Sequence, residues 1–332
     1  MPTVQILDRP TVAATSMPTR RRLVGMALLL ALFVLDVILF GLPLTDPLQA
    51  YLWLWVATIA WNNDQPWRSH LRFGRDWLPV LLLLEVYNYS RGFADNGVTP
   101  HAQAMVDADL FLTGHFTGGV VPTIWLQEHF YFPDQIRWWD AAASWVYFTH
   151  FVATPALAVV LWLRNRVQWA MFMRRWFLLS ASGLATYFLY PAAPPWWAHE
   201  HGLIGPVLRI STRGWKAIGL SGTGNLLHTG QLAANPVAAM PSLHSAFALL
   251  VALTLAGFLR RRWLPLLLLY PIAMMLTLLY SGEHYLIDIL VGWAYVLVTM
   301  ALADWWGRWR TRRVPVMPEV GPVADPPHPG HV

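Results

Sequence analysis

The chain has 332 residues, of which 56% are apolar and only 12% charged, with a mean hydropathy of +0.41 and twenty tryptophans. A soluble domain carries roughly a quarter charged residues, so this composition excludes an ordinary soluble enzyme and points to a polytopic membrane protein with Trp and Tyr at headgroup level. The absence of cysteine excludes thiol catalysis, disulfides and cysteine metal sites, and a pI near 9.7 raises nucleic acid as a partner only until the basic residues are placed.

In chain order, residues 1–22 form a basic tail of low apolar content, and Arg20, Arg21 and Arg22 lead straight into a long apolar run. That arrangement reads as a signal-anchor rather than a cleaved leader. A span needs about 20 mostly apolar residues, and eight runs are expected to cross: 23–42, 47–62, 77–91, 138–163, 174–191, 241–259, 263–281 and 284–306. Residues 92–137 make an outer segment with room for interfacial helices such as 122–132. Residues 192–240 make a second outer loop with turn signals at Ser221-Gly222-Thr223-Gly224-Asn225. The tail 307–332 is basic and then Pro-rich, with six prolines after residue 313, and is expected to be disordered.

With an inside N-terminus, 18 of the 23 Lys and Arg fall on cytoplasmic segments and five on outer ones, as the positive-inside rule requires. The high pI is therefore mostly topology, and nucleic-acid binding is not expected. Both termini lie in the cytoplasm. His244 opens the sixth run and His284 the eighth, so both lie at the outer leaflet. An odd number of crossings between them would part them by roughly 30 Å.

His284 and Asp288 stand four apart at a helix start, hence on one face. A carboxylate there holds the imidazole Nδ1 proton and leaves Nε2 free, as in activated nucleophiles; the alternative is that the two groups merely satisfy each other. At Pro241-Ser242-Leu243-His244, proline suits a first helical turn, the helix N-terminus makes an anion seat, and Ser242 adds a hydroxyl. His244 adds a second imidazole able to act as general acid. Alone, this motif is also an ordinary helix start.

Together, P-S-x-H followed by H-Y-x-x-D, with Gly292 four residues after the Asp, resembles the type-2 phosphatidic acid phosphatase superfamily. Gly282-Glu283-His284-Tyr285 and Tyr190-Pro191-Ala192-Ala193-Pro194-Pro195-Trp196-Trp197 are similar to its inositol phosphorylceramide synthase branch. The resemblance covers about residues 77–306, with residues 23–76 as two added helices. It implies an all-α integral-membrane fold of about eight transmembrane helices, six of them forming the catalytic core. It also implies a phosphohistidine on His284, orientation by Asp288, protonation of the leaving group by His244, and no metal or other cofactor. The donor is then a phosphorylated membrane lipid and the acceptor water or a lipid hydroxyl.

The chain departs from the superfamily pattern at its cations. Gly183 and Tyr190-Pro191 stand where a Lys and an Arg-Pro are usual, and Leu278 stands where an Arg precedes the nucleophile. The replacement expected first is Arg91, with Ser242 as a second phosphate-binding group. Arg137, Arg209, Arg213 and Lys216 are the other outer cations. Asp36, Glu85, Asn88 and His150 are polar residues inside apolar runs, and His199-Glu200-His201 offers a two-residue chelate with no evident third ligand. The expected activity is that of a membrane-embedded lipid phosphatase or phospho-headgroup transferase with its site outside the cytoplasm. The alternative is a lipid transporter or scramblase without phosphoryl chemistry.

Overall fold

A computed structural model describes residues 20–40, 47–90, 98–232 and 236–312. The N-terminal tail up to residue 19 and the Pro-rich segment after residue 312 lie outside them. Among the described residues the chain is helical throughout: α1 (Arg20–Phe40), α2 (Pro47–Trp61), α3 (Trp67–Ser90), α4 (Gln103–Thr117), α5 (Pro122–Phe130), α6 (Trp138–Arg164), α7 (Arg166–Leu189), α8 (Pro195–Glu200), α9 (Ser221–Leu232), α10 (Leu243–Ala256), α11 (Leu264–Tyr280) and α12 (Leu286–Arg312). No strand is present among them, only two isolated bridges that tie Ala192 to His101 and Ala238.

Each of the eight expected runs coincides with a helix. Among the described residues, four stretches are long and apolar enough to cross a membrane: Arg20–Leu39, Trp138–Arg164, Arg261–Tyr280 and Leu286–Trp309. Leu48–Trp61 and Leu243–Ala256 are apolar but shorter. Two helices are longer than their apolar runs. α3 begins at Trp67 instead of residue 77, and α7 at Arg166 instead of residue 174. The arginines at 68, 72, 75, 166, 174 and 175, read as loop residues or span edges, are therefore helical, and ion pairs hold three of them, Arg75, Arg166 and Arg175. Asp76 accepts from Arg75 and Arg166 at 2.9 Å each, and the Arg166 guanidinium lies 3.9 Å over the Trp162 ring. Arg175 reaches Asp304 at 2.6 Å and joins α7 to the far end of α12. The outer segments are also more helical than expected, holding α4 as well as α5, and α8, a 3₁₀ turn at Arg213–Lys216 and α9.

The chain packs around α10, which touches α6, α7, α11 and α12. In hydrocarbon, helices associate through close contact and small residues rather than through water exclusion, and the contacts follow that rule. A Cβ on Gly183 of α7 would sit 2.8 Å from Leu243 of α10. Phe73, Trp77, Phe172, Leu179 and Leu250 fill the interior between α3, α7 and α10. At the opposite end α4, α5 and α8 form a cap over Ala192, Ala193 and Tyr285, all fully buried. The two N-terminal helices are added in sequence: α1 packs on α2, α2 on α3, and α3 on α7.

Candidate active site

His284 is not on a helix, as the four-residue spacing predicts, but on the turn Ser281–Tyr285 between α11 and α12. Gly282 makes this turn possible. Its φ is +77°, and a Cβ there would meet the Leu208 carbonyl oxygen at 2.8 Å. The amides of Glu283 and His284 then bond back to the Leu278 carbonyl. Two carboxylates pin the other side of the turn. Asp288 Oδ2 accepts from the Tyr285 amide at 2.9 Å, and Asp109 of α4 accepts from the Leu286 and Ile287 amides at 2.9 Å each. Asp109 thus caps α12 from a distant segment, satisfying two amides that no helix start supplies with partners. Burial pushes its carboxyl up to about 7, against the pull of those two amides.

The second motif is fastened to the first by backbone. The Ser242 amide donates to the Asp288 carbonyl at 3.0 Å, and a Cβ on Gly292 would lie 2.6 Å from the Ser242 carbonyl oxygen. Ser242 is fully buried and is the N-cap of α10, its hydroxyl accepting from Ser245 N at 3.4 Å. The helix therefore starts one residue after Ser242, with Pro241 outside it. Ser242 is not among the residues that line the cavity shared by His244 and His284.

These fastenings bring the imidazoles together. His284 Nε2 is 3.5 Å from His244 Nδ1, and His284 Nδ1 is 3.5 Å from Asp288 Oδ2. His284, His244 and Asp288 therefore converge as the sequence predicts, with Nε2 of His284 facing the cavity side and Nδ1 facing the carboxylate. The His284–Asp288 contact is longer than an ordinary hydrogen bond. The ring of His244 is held by stacking, 5.0 Å from Tyr147 and 4.0 Å from His150 of α6.

The candidate cations distribute differently from expectation. Arg91, and the side chain of Asn88, lie outside the described residues. Arg209 lines the same cavity as His244 and His284. It makes two bonds to Glu283, Nε to Oε1 at 3.0 Å and Nη2 to Oε2 at 2.9 Å, and lies 4.8 Å over the Trp196 ring. Ser211 and Gln231 hold the same Glu283 oxygen at 2.7 and 3.2 Å. Arg213 is committed elsewhere, to Tyr131 and the carbonyls of Pro133 and Gln135. The superfamily's Lys position is closed by the Gly183–Leu243 contact, and Leu278 is buried with no exposed surface. The pairing of Glu283 with Arg209, the capping by Asp109 and the closeness of His150 to His244 were not read from the sequence. A glutamate beside the motif histidine in an apolar context is the one signal that marks Glu283 in advance.

Of the remaining polar residues, Asp36 is satisfied within the added helices, accepting from Gln49 at 3.0 Å and Trp53 at 2.9 Å. Glu85 has one buried oxygen without a hydrogen bond. His201 lies flat on Trp197, ring centroids 3.5 Å apart, with Nδ1 at 2.9 Å from its carbonyl. Among the described residues no three His, Asp or Glu side chains gather as a metal site.

The family described as the PAP2 superfamily matches residues 120–302, the stretch that carries both histidine motifs. A curated relative, phosphoinositol dihydroceramide synthase of Bacteroides thetaiotaomicron, is 30% identical over 159 residues, which cover 43% of this chain and 46% of the relative. The chain thus aligns with less than half of that protein's length. No solved structure matches the chain significantly.

Proposed function

The chain belongs to the PAP2 superfamily, and from that premise we propose that it is an integral-membrane lipid phosphotransferase working through a phosphohistidine. The observation that carries the proposal is the 3.5 Å approach of His284 Nε2 to His244 Nδ1 at the end of a cavity. His284 Nε2 attacks phosphorus and forms an N–P bond as the P–O bond to the departing group breaks. His244 gives its proton to that oxygen. An acceptor hydroxyl then attacks the phosphohistidine, loses its proton to His244, and takes the phosphoryl group as the N–P bond breaks. Asp288 keeps the Nδ1 proton in place and balances the charge that grows on the ring. Both steps conserve atoms and protons without a metal.

Arg209 faces the phosphate oxygens, in the role expected first of Arg91. Its charge is largely offset by Glu283, so the pocket suits a phosphodiester anion better than a dianionic monoester. That balance favours transfer of a phospho-headgroup to a lipid hydroxyl over phosphatase action, and the printed name of the Bacteroides relative is that of a synthase. The site faces the extracytoplasmic leaflet, and both termini are cytoplasmic. In support, Asp304, which pairs with Arg175, lies 16 residues along α12 from Asp288, about 24 Å at helical rise, so the arginine-rich end is opposite the histidines.

The test is to incubate purified protein in vesicles with a phosphodiester lipid labelled in its phosphate, then quench in base. An acid-labile, base-stable label on the wild-type protein that is absent from His284→Ala supports the reading. No label, or label that survives in His284→Ala, overturns it. Lipid movement without turnover, equal in His284→Ala and His244→Ala, favours a lipid carrier instead.

A further inference from the structure

We propose that α1 and α2, which lie outside the family match, complete a channel that receives one hydrocarbon chain of the lipid substrate and selects it by length. This rests on the phosphoryl-transfer reading above and names which part of the donor the added helices recognise. The cavity at the histidines has a volume of about 700 Å³ and runs well beyond them. Its walls include Arg209, Glu283, His244 and His284, and also the aliphatic and aromatic side chains of Leu29 and Phe33 of α1, Leu54 and Ala57 of α2, and Leu84 of α3. An occupant matching both sets must be anionic in one part and aliphatic in another.

The added helices are placed specifically rather than loosely by lipid contact. Tyr51 of α2 donates to the Gly74 carbonyl at 3.0 Å and Trp55 to the His70 carbonyl at 2.8 Å, both on α3. Gln49 and Trp53 of α2 hold Asp36 of α1, and Phe33 packs edge-on against Trp53 with centroids 5.2 Å apart. In hydrocarbon, such polar bonds fix one register between helices. They set the aliphatic side chains of α1 and α2 as a wall at a fixed distance from His284. A chain that fills the channel gains contact at every methylene. A chain too short leaves apolar wall uncovered, and one too long is bent or expelled.

Two measurements test this. The first compares kcat/KM for a long-chain donor with that for an aryl phosphodiester lacking any alkyl chain. Ala57→Trp on α2 and, independently, Leu29→Trp on α1 narrow the channel. Displacing the end of the chain lowers the ratio in both variants, because the contacts it makes with the wall are lost. Ile38→Trp, on α1 but 74% exposed and off the channel, leaves the ratio unchanged. A ratio unaffected by both channel variants overturns the inference and leaves the phosphohistidine reading standing. The second needs no turnover. A phosphodiester lipid with a diazirine at its chain end labels Phe33 in preference to Ile38, and Ala57→Trp abolishes that preference. Equal labelling of the two positions in the wild-type protein overturns the channel even if the catalytic reading fails.

Discussion

Gly292 and Ser242 meet backbone to backbone: a methyl group added at Gly292 would stand 2.6 Å from the Ser242 carbonyl oxygen. No real Cβ tolerates that approach, and the atom in its way is main chain, so α12 must retreat from α10. The retreat separates the two histidine motifs. Gly292→Ala is expected to lower stability by about 1–3 kcal/mol and to cost more in kcat than in KM. Thermal unfolding in detergent and steady-state kinetics on the same sample check both. A variant with normal kcat and normal Tm would mean that the two helices are not held at this distance.

Arg209 carries the phosphate grip in this reading, and its forked contact with Glu283 aims it. Arg209→Ala is expected to reduce kcat/KM by roughly 10²- to 10³-fold, the range for loss of one strong donor to developing charge. Arg209→Lys recovers part of this, because it keeps the charge without the fork. Glu283→Gln weakens the aim but frees the cation's charge, so it is expected to improve use of a phosphomonoester relative to a phosphodiester. The ratio of the two activities is the measurement.

Asp288→Asn removes the acceptor for the His284 Nδ1 proton while keeping the side chain's shape. Turnover is expected to fall by roughly 10²- to 10⁴-fold, with the phosphohistidine forming slowly rather than failing to bind donor. Rapid-quench measurement of the adduct separates these outcomes, since an unchanged rate of adduct formation would remove Asp288 from the mechanism.

Asp109 gives a pH signature. Its carboxyl is raised from about 3.9 in an unfolded chain to about 7 by burial in the folded one. A raised acid stabilises the fold fully below the unfolded value and loses that contribution as pH climbs through about 7. Asp109→Asn is expected to be less stable at pH 5, because it sets an NH2 donor against one of the Leu286 and Ile287 amides, where even the neutral acid keeps an oxygen that accepts. Its Tm is also expected to change less between pH 5 and pH 8 than that of the wild type. A wild-type and variant pair with parallel Tm profiles would contradict it.

Chelation completes the set. Neither step written above uses a metal, and in His199-Glu200-His201, at the end of α8, one ring nitrogen of His201 is already engaged with the Trp197 carbonyl. Turnover is expected to survive EDTA treatment and to gain nothing from added divalent cations.

The helices were legible because each is a local pattern: an apolar run of sufficient length, broken by arginines or prolines. The two histidine motifs were legible for the same reason, and their convergence followed from counting crossings. What escaped the sequence is what long-range packing supplies. Glu283 meets Arg209 across 74 positions, and Asp109 meets Leu286 across 177; nothing local marks either pair. The stretch of α3 before residue 77 is met by partners far away in sequence: Tyr51 and Trp55 of α2 donate to the carbonyls of Gly74 and His70, and Arg166 pairs with Asp76 across 90 positions. That Ser242 is the N-cap of α10, with Pro241 outside the helix, is a matter of one residue of register, where sequence patterns are least informative.

A cation rooted in a helix keeps its grip until the helix itself gives way. Arg209 instead springs from a connecting segment, between Val207 and the 3₁₀ turn at Arg213–Lys216, and that segment is fastened by its own backbone: Gln127 bonds both the amide and the carbonyl of Leu208, and the Ile210 amide donates to the Ser281 carbonyl. The direction of the guanidinium is thus inherited from α5 and from the turn that carries His284, so a disturbance in either reaches the cation without touching it.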